Sequence, residues 1–186
     1  IGVALGTALL PNLSKAETSN KTIYVKESIE RSLVVGFIFS IPACIAFLII
    51  PEMLIEAIYS RGAFGENEIY NVSTALKAYA VGVPAFICIK IFQSSFFAMR
   101  DTSTPLKISI FSVFINILLS IILMKSYGFF GIALATSITS YLTLICYFFF
   151  LNIKNRVSLN VFKPIIILVI LGFLFAFILF YLLSIF

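Results

Sequence analysis

Residues 32–51 read SLVVGFIFSIPACIAFLIIP, twenty positions without a charged side chain. The hydrocarbon core of a bilayer takes about 20 apolar residues in helical form, so this stretch predicts a transmembrane helix. Pro42 falls inside it and predicts a kink, which bilayer helices accommodate when a neighbour satisfies the freed carbonyl. The same pattern recurs at residues 108–124, 130–151 and 164–186, all uncharged. The span at 70–99 carries only Lys77 and Lys90, with Pro84 between them. Residues 1–11 look like the end of a further helix. The fold class expected is therefore an all-α polytopic membrane protein with five full transmembrane helices and one partial helix.

The segments between these spans fix an orientation. They lie at 12–31, 52–69, 100–107, 125–129 and 152–163. The first, third and fifth hold nine of the Lys and Arg residues, and the second and fourth hold two, Arg61 and Lys125. Lys and Arg are retained on the cytoplasmic side. Segments 12–31, 100–107 and 152–163 are thus expected as cytoplasmic loops, 52–69 as an outer loop and 125–129 as an outer turn. Within the outer loop, residues 53–59 predict a short helix entering the interface, and Arg61-Gly62 a turn.

Composition narrows the function classes. The chain is 61% hydrophobic and 11% charged, against about 45–50% and 25% for a soluble domain. Its few charges cannot cover a surface in water. The net charge of +5 belongs to the loops, and no basic run with interleaved aromatics lies outside a span, so no nucleic-acid partner is expected. Histidine is absent, which removes Ser-His-Asp and Cys-His catalysis. Cys44, Cys88 and Cys146 sit apart in apolar stretches, a pattern of neither a disulfide framework nor a zinc site. The acids lie in loops or at span ends, which argues against a proton relay and against a membrane-embedded transferase. The first ten residues lack the basic start of a signal peptide, and both ends are expected to be cuts in a longer chain.

Polar groups inside spans are the candidate functional residues. A charge at depth is costly and often functional, although a lysine stem can also snorkel toward the headgroups. Lys90 has Gln93 and Ser94 three and four residues on, which puts all three near one helix face. A cationic polar face in a membrane suits an anionic headgroup. Asn116 and Ser120 form a second group, with Thr136, Ser137 and Ser140 on the next span. They can serve as oxygen ligands for sodium or as plain interhelical hydrogen bonds.

Three stretches carry a resemblance. GVALGTALLPNLSK at 2–15, IYSRGAF at 58–64 and KIFQSSFFAMRDTSTPLK at 90–107 closely resemble, in order and spacing, the MurJ/MviN family of lipid II flippases. The resemblance implies a two-lobe, fourteen-helix exporter fold, of which this chain would run from helix eight to helix thirteen. The family's helix eight runs from outside to inside, in agreement with the loop charges. The resemblance further implies a multi-pass protein of the bacterial inner membrane, not an enzyme. It would move undecaprenyl-pyrophosphate-linked peptidoglycan precursor from the inner to the outer leaflet by alternating access. The partners implied are that precursor, membrane lipid and an N-terminal lobe carrying most of the pyrophosphate-binding arginines.

Lys90 matches a basic position of the family, with Gln93 and Ser94 beside it on the substrate path. No organic cofactor is implied. Sodium or the membrane potential would drive transport, and the family's sodium pattern falls on Asn116, Ser120, Ile132 through its carbonyl, and Thr136. The pattern has a carboxylate where Ser120 stands. Rival readings are a related exporter (an oligosaccharide-lipid flippase or a drug/cation antiporter) and, from another class, a membrane-embedded transferase.

Overall fold

A computed structural model describes residues 2–18, 22–59, 65–155, 157 and 162–183. The described residues form six helices: α1 (Gly2–Thr18), α2 (Thr22–Ile49), α3 (Pro51–Tyr59), α4 (Glu66–Ala98), α5 (Ser103–Ile153) and α6 (Phe162–Leu183). Three of them, α2, α4 and α5, are long and apolar enough to cross a membrane. The expected Arg61-Gly62 turn, Lys21 and Arg156 lie outside the described residues.

α5 is two spans in one. Gly128 takes φ 57° and ψ −136°, a backbone state closed to most side chains, and it folds the helix on itself. Ser112 and Thr143 hydrogen-bond at 2.8 Å, whereas 31 residues of straight helix would hold them about 46 Å apart. The two arms, 103–127 and 129–153, are each about 37 Å long, enough for a hydrocarbon core of about 30 Å. Gly131 permits the close return, since a Cβ there would run into the Leu123 carbonyl.

The connecting segments are shorter than the hydropathy pattern suggests. Most of 12–31 is helical, because α1 continues to Thr18 and α2 begins at Thr22. Here the helices carry charged side chains and become amphipathic. Val25, Ile29 and Leu33 are buried at four-residue spacing, and Arg31 pairs with Glu27 at 3.8 Å on the exposed side. α5 likewise begins at Ser103, inside the segment expected as a loop at 100–107. Pro105 sits in its first turn, where a missing amide hydrogen costs nothing. The outer segment 52–69 also shrinks. The short helix expected at 53–59 is α3, and α4 starts at Glu66, where the Glu68 carboxylate accepts the Gly65 N–H at 3.1 Å. The expected turn at 125–129 contracts to the fold at Gly128.

α4 is the central helix, touching α1, α2, α3 and α5. Pro84 has no amide hydrogen, so the Ala80 carbonyl one turn back lacks its helical donor, and the carbonyls flanking it are bonded from α5. The second arm of α5 packs there and supplies donors. Tyr141 OH donates to the Val81 carbonyl at 2.8 Å and Ser137 Oγ to the Ala78 carbonyl at 2.7 Å. Gly82 allows this approach, because a Cβ there would lie 2.7 Å from Ser137 Oγ. Lipid gives no hydrophobic drive between helices, so such bonds and close packing hold them together, at about 0.6–2 kcal/mol per bond.

The apolar core lies at the end where α1 meets α2, α4 meets α5, and the second α5 arm finishes. Leu13, Ile29, Ile91, Phe96, Tyr147 and Leu151 are fully buried there, with Cys88 packed as a small hydrophobe. α4 ends at this core in a left-handed turn at Arg100, φ 57°. Asp101 N–H bonds the Phe96 carbonyl and Arg100 N–H the Phe97 carbonyl, both at 3.0 Å. The turn sets Asp101 against Lys154, at 2.6 Å. By contrast α6, packed on α2, exposes Ile166, Ile167, Ile170 and Leu174 on an apolar face suited to lipid.

Candidate functional site

α4 presents Lys90 six residues beyond Pro84, exposed, with its ammonium donating to Gln93 Oε1 at 3.3 Å. Gln93 Nε2 donates in turn to the hydroxyl of Tyr147 at 3.2 Å. Tyr147 is fully buried on the second α5 arm, its ring tilted against Phe96 at 5.7 Å between centroids. The Lys154 ammonium lies 5.1 Å from the Phe96 ring centre. A continuous series of contacts therefore runs from the Asp101–Lys154 pair to Lys90.

Lys90 and Gln93 look into a cleft of about 500 Å³ between α4 and the two α5 arms, where Phe86, Ile89 and Val113 stand as apolar wall beside the polar groups. The first arm contributes Ser109, Ser112 and Asn116. The second contributes Thr136, Thr139, Ser140 and Thr143. Asn116 Nδ2 donates to Thr136 Oγ1 at 3.3 Å, and Thr136 donates to the Ile132 carbonyl at 3.1 Å. Thr143 donates to the Thr139 carbonyl at 2.8 Å. Among the described residues, the buried Thr139 hydroxyl has no hydrogen-bond partner. Among the described residues, no carboxylate lines the cleft.

The structure thus brings Lys90, Gln93, Asn116 and Thr136 to one cleft, with Ile132 tied in through its carbonyl. It separates two others. Ser94 Oγ donates to the Lys90 carbonyl at 3.1 Å and lies against α1, where a Cβ on Gly6 would come within 2.6 Å of it. Ser120 is half-buried one turn closer to the Gly128 fold and is not in the cleft wall. Ser109, Ser112, Thr139 and Thr143 were missed in the sequence, as was Tyr147. The first four have a legible signal: Ser109, Ser112 and Asn116 fall at i, i+3, i+7, and so do Thr136, Thr139 and Thr143. Tyr147 continues the second stripe at i+11, but its partner is 54 residues away and no spacing shows it.

The other intramembrane lysine has a different setting. Lys77 reaches Glu52 of α3 at 3.4 Å, with both side chains substantially exposed. At the opposite end, Lys154 and then the Thr104 N–H hold the Asp101 carboxyl well below the usual carboxylate range.

A family model described as lipid II flippase MurJ matches residues 1–186. The chain belongs to the MurJ family of lipid II flippases. A probable lipid II flippase MurJ from Rickettsia prowazekii is 38% identical over 144 residues, 77% of this chain and 28% of the relative. Its counterpart from Rhizobium tropici is 34% identical over 145 residues, 76% of this chain and 27% of the relative. The chain thus spans roughly a quarter to a third of the length of these relatives. A solved lipid II flippase MurJ in an inward closed conformation superposes with a TM-score of 0.83 at 24% identity, over 97% of this chain and 37% of that one. That likeness establishes the fold. With its long apolar helices, the chain is part of a multi-pass membrane protein of the MurJ family.

Proposed function

We propose that this chain serves in a flippase that carries the lipid-linked peptidoglycan precursor, lipid II, from the inner to the outer leaflet of the bacterial inner membrane. The observation that carries the reading is the family match along all 186 residues. An anionic undecaprenyl-pyrophosphate headgroup cannot cross hydrocarbon unaided, because burying a charge without a partner is prohibitive. The lobe described here, working against an N-terminal lobe, offers a polar path while the lipid tail stays in the bilayer, and rocking of the lobes switches access. Lys90 supplies positive charge on that path, and Gln93 stands beside it.

Transport of this kind breaks no covalent bond, so the protein acts as a carrier and not as an enzyme. The membrane potential favours the direction. Each negative charge moved outward across an inside-negative bilayer releases about 2.3 kcal/mol per 100 mV. Sodium fits these residues less well. Thr136 donates its hydroxyl proton to the Ile132 carbonyl and already accepts from Asn116 with one of its two lone pairs. Ser120 stands apart, and the cleft holds an ammonium and no carboxylate. No step is therefore assigned to sodium.

The test is depletion of the intact protein in cells, followed by measurement of labelled lipid II at the outer leaflet. Loss of arrival, restored by the intact gene and not by Lys90→Ala, is expected. Normal arrival after depletion would refute the reading.

A further inference from the structure

Gln93 Oε1 accepts from the Lys90 ammonium, and it is neutral. The other two intramembrane or membrane-end lysines with described partners, Lys77 and Lys154, each meet a carboxylate. An ammonium held by a carboxylate has its field cancelled locally. An ammonium held by an amide oxygen is oriented but keeps its full charge for a third group. The amide has a fixed direction here. If Gln93 turned over, its NH₂ would face the ammonium, donor against donor, and its oxygen would face Tyr147. Lys90 selects the oxygen on its own side, and the Tyr147 oxygen accepts from the amide nitrogen on the other, at 3.2 Å. Tyr147 has no freedom to drift, since it is wholly buried and stacked on Phe96.

We propose that Gln93, locked by Tyr147, is a neutral clamp that positions the Lys90 ammonium toward the cleft without neutralising it, so that the charge is available to a phosphate-bearing headgroup. The inference rests on the proposed function and deepens it: Tyr147 and Gln93 are positioning residues acting through Lys90. The clamp explains why a glutamine stands at this point. A glutamate would hold the lysine at least as firmly and would turn the site into an internal ion pair.

The experiment uses the intact protein in depleted cells, reading lipid II arrival per copy of protein in the membrane. Gln93→Glu and Gln93→Met separate the two roles the residue can have. Glutamate keeps size and still accepts from Tyr147 OH, while methionine fills the space with no hydrogen bond. A neutral clamp predicts that Gln93→Glu falls about ten-fold or more, close to Lys90→Ala, and that Gln93→Met loses less. A packing role predicts the reverse order. Tyr147→Phe, which keeps the stack on Phe96, is expected to lose activity about three-fold to ten-fold alone and nothing further on top of Lys90→Ala.

Gln93→Glu at parental rate beside an impaired Lys90→Ala would overturn the clamp and leave the transport function standing. An additive loss for Tyr147→Phe in the Lys90→Ala background would also overturn it. A parental rate for Lys90→Ala removes Lys90 from the path and the clamp with it.

Discussion

Lys77 and Lys90 lie thirteen residues apart on one apolar helix, and the tertiary structure treats them in opposite ways. Lys77 leans to the end of α4 where α3 waits and pairs with Glu52 at 3.4 Å. Lys90 faces a cleft whose mostly apolar wall carries hydroxyls and amides, and its partner is an uncharged oxygen. The first lysine has found a counter-ion. The second, among the described residues, meets no carboxylate. Under the proposed function, compensation more than depth separates a structural charge from a working one. The Lys154–Asp101 pair, with its cation over Phe96, belongs with Lys77: a matched charge that pins two turns together.

The largest expected effect tests this division directly. Lys90→Ala is expected to cut lipid II arrival by about ten-fold to a hundred-fold, the worth of a hydrogen bond to a charged group. Lys77→Ala should stay within about two-fold of the parent, as expected for an exposed pair. Equal, near-normal rates for both would erase the distinction.

Next in size is Asp101→Ala. It removes the acceptor for Lys154 and for the Thr104 N–H, at 2.6 and 3.0 Å. A loss of about 1–2 kcal/mol, as for a helix cap, is expected in the thermal unfolding of the detergent-solubilised protein. Transport per folded copy should be unchanged. A large transport defect at full stability would move this pair to the functional side of the comparison.

The same pair carries a pH signature. The folded Asp101 carboxyl lies below its ordinary value, with Lys154 the main cause. An unfolded aspartate titrates near about 3.9. The folded protein therefore binds fewer protons at this group, and its contribution is fully present above about pH 4. It is lost as pH falls through the folded-state value. Unfolding curves of parent and Asp101→Ala are expected to differ by a constant amount above pH 5 and to converge in stronger acid.

The smallest effect is Glu52→Gln. Both side chains of its pair are about half exposed, so a change under about 1 kcal/mol is expected, shrinking with salt. A marked defect would mean that the Lys77 charge needs its counter-ion after all.

Much of this was legible in the residues themselves. Spans such as 32–51 follow from hydropathy, a property each segment carries alone, and the turn at Gly128 falls within the expected 125–129. The polar stripes at 109, 112, 116 and at 136, 139, 143 were present as spacings. Much of the segments between spans is helical, because the helices change there from apolar to amphipathic, and a hydropathy pattern sees only the apolar part.

The sequence by itself determined which segments prefer lipid, where the chain turns and which residues bring charge into a span. The tertiary structure alone decided what each charge meets. Glu52 and Tyr147 lie 25 and 54 residues from the side chains they serve. Helix packing sets such meetings, through the Gly82 and Gly131 approaches and the fold at Gly128, and no local pattern encodes them. Ser94 shows the same rule in reverse: its spacing pointed to the Lys90 face, and the close passage of Gly6 took it to α1.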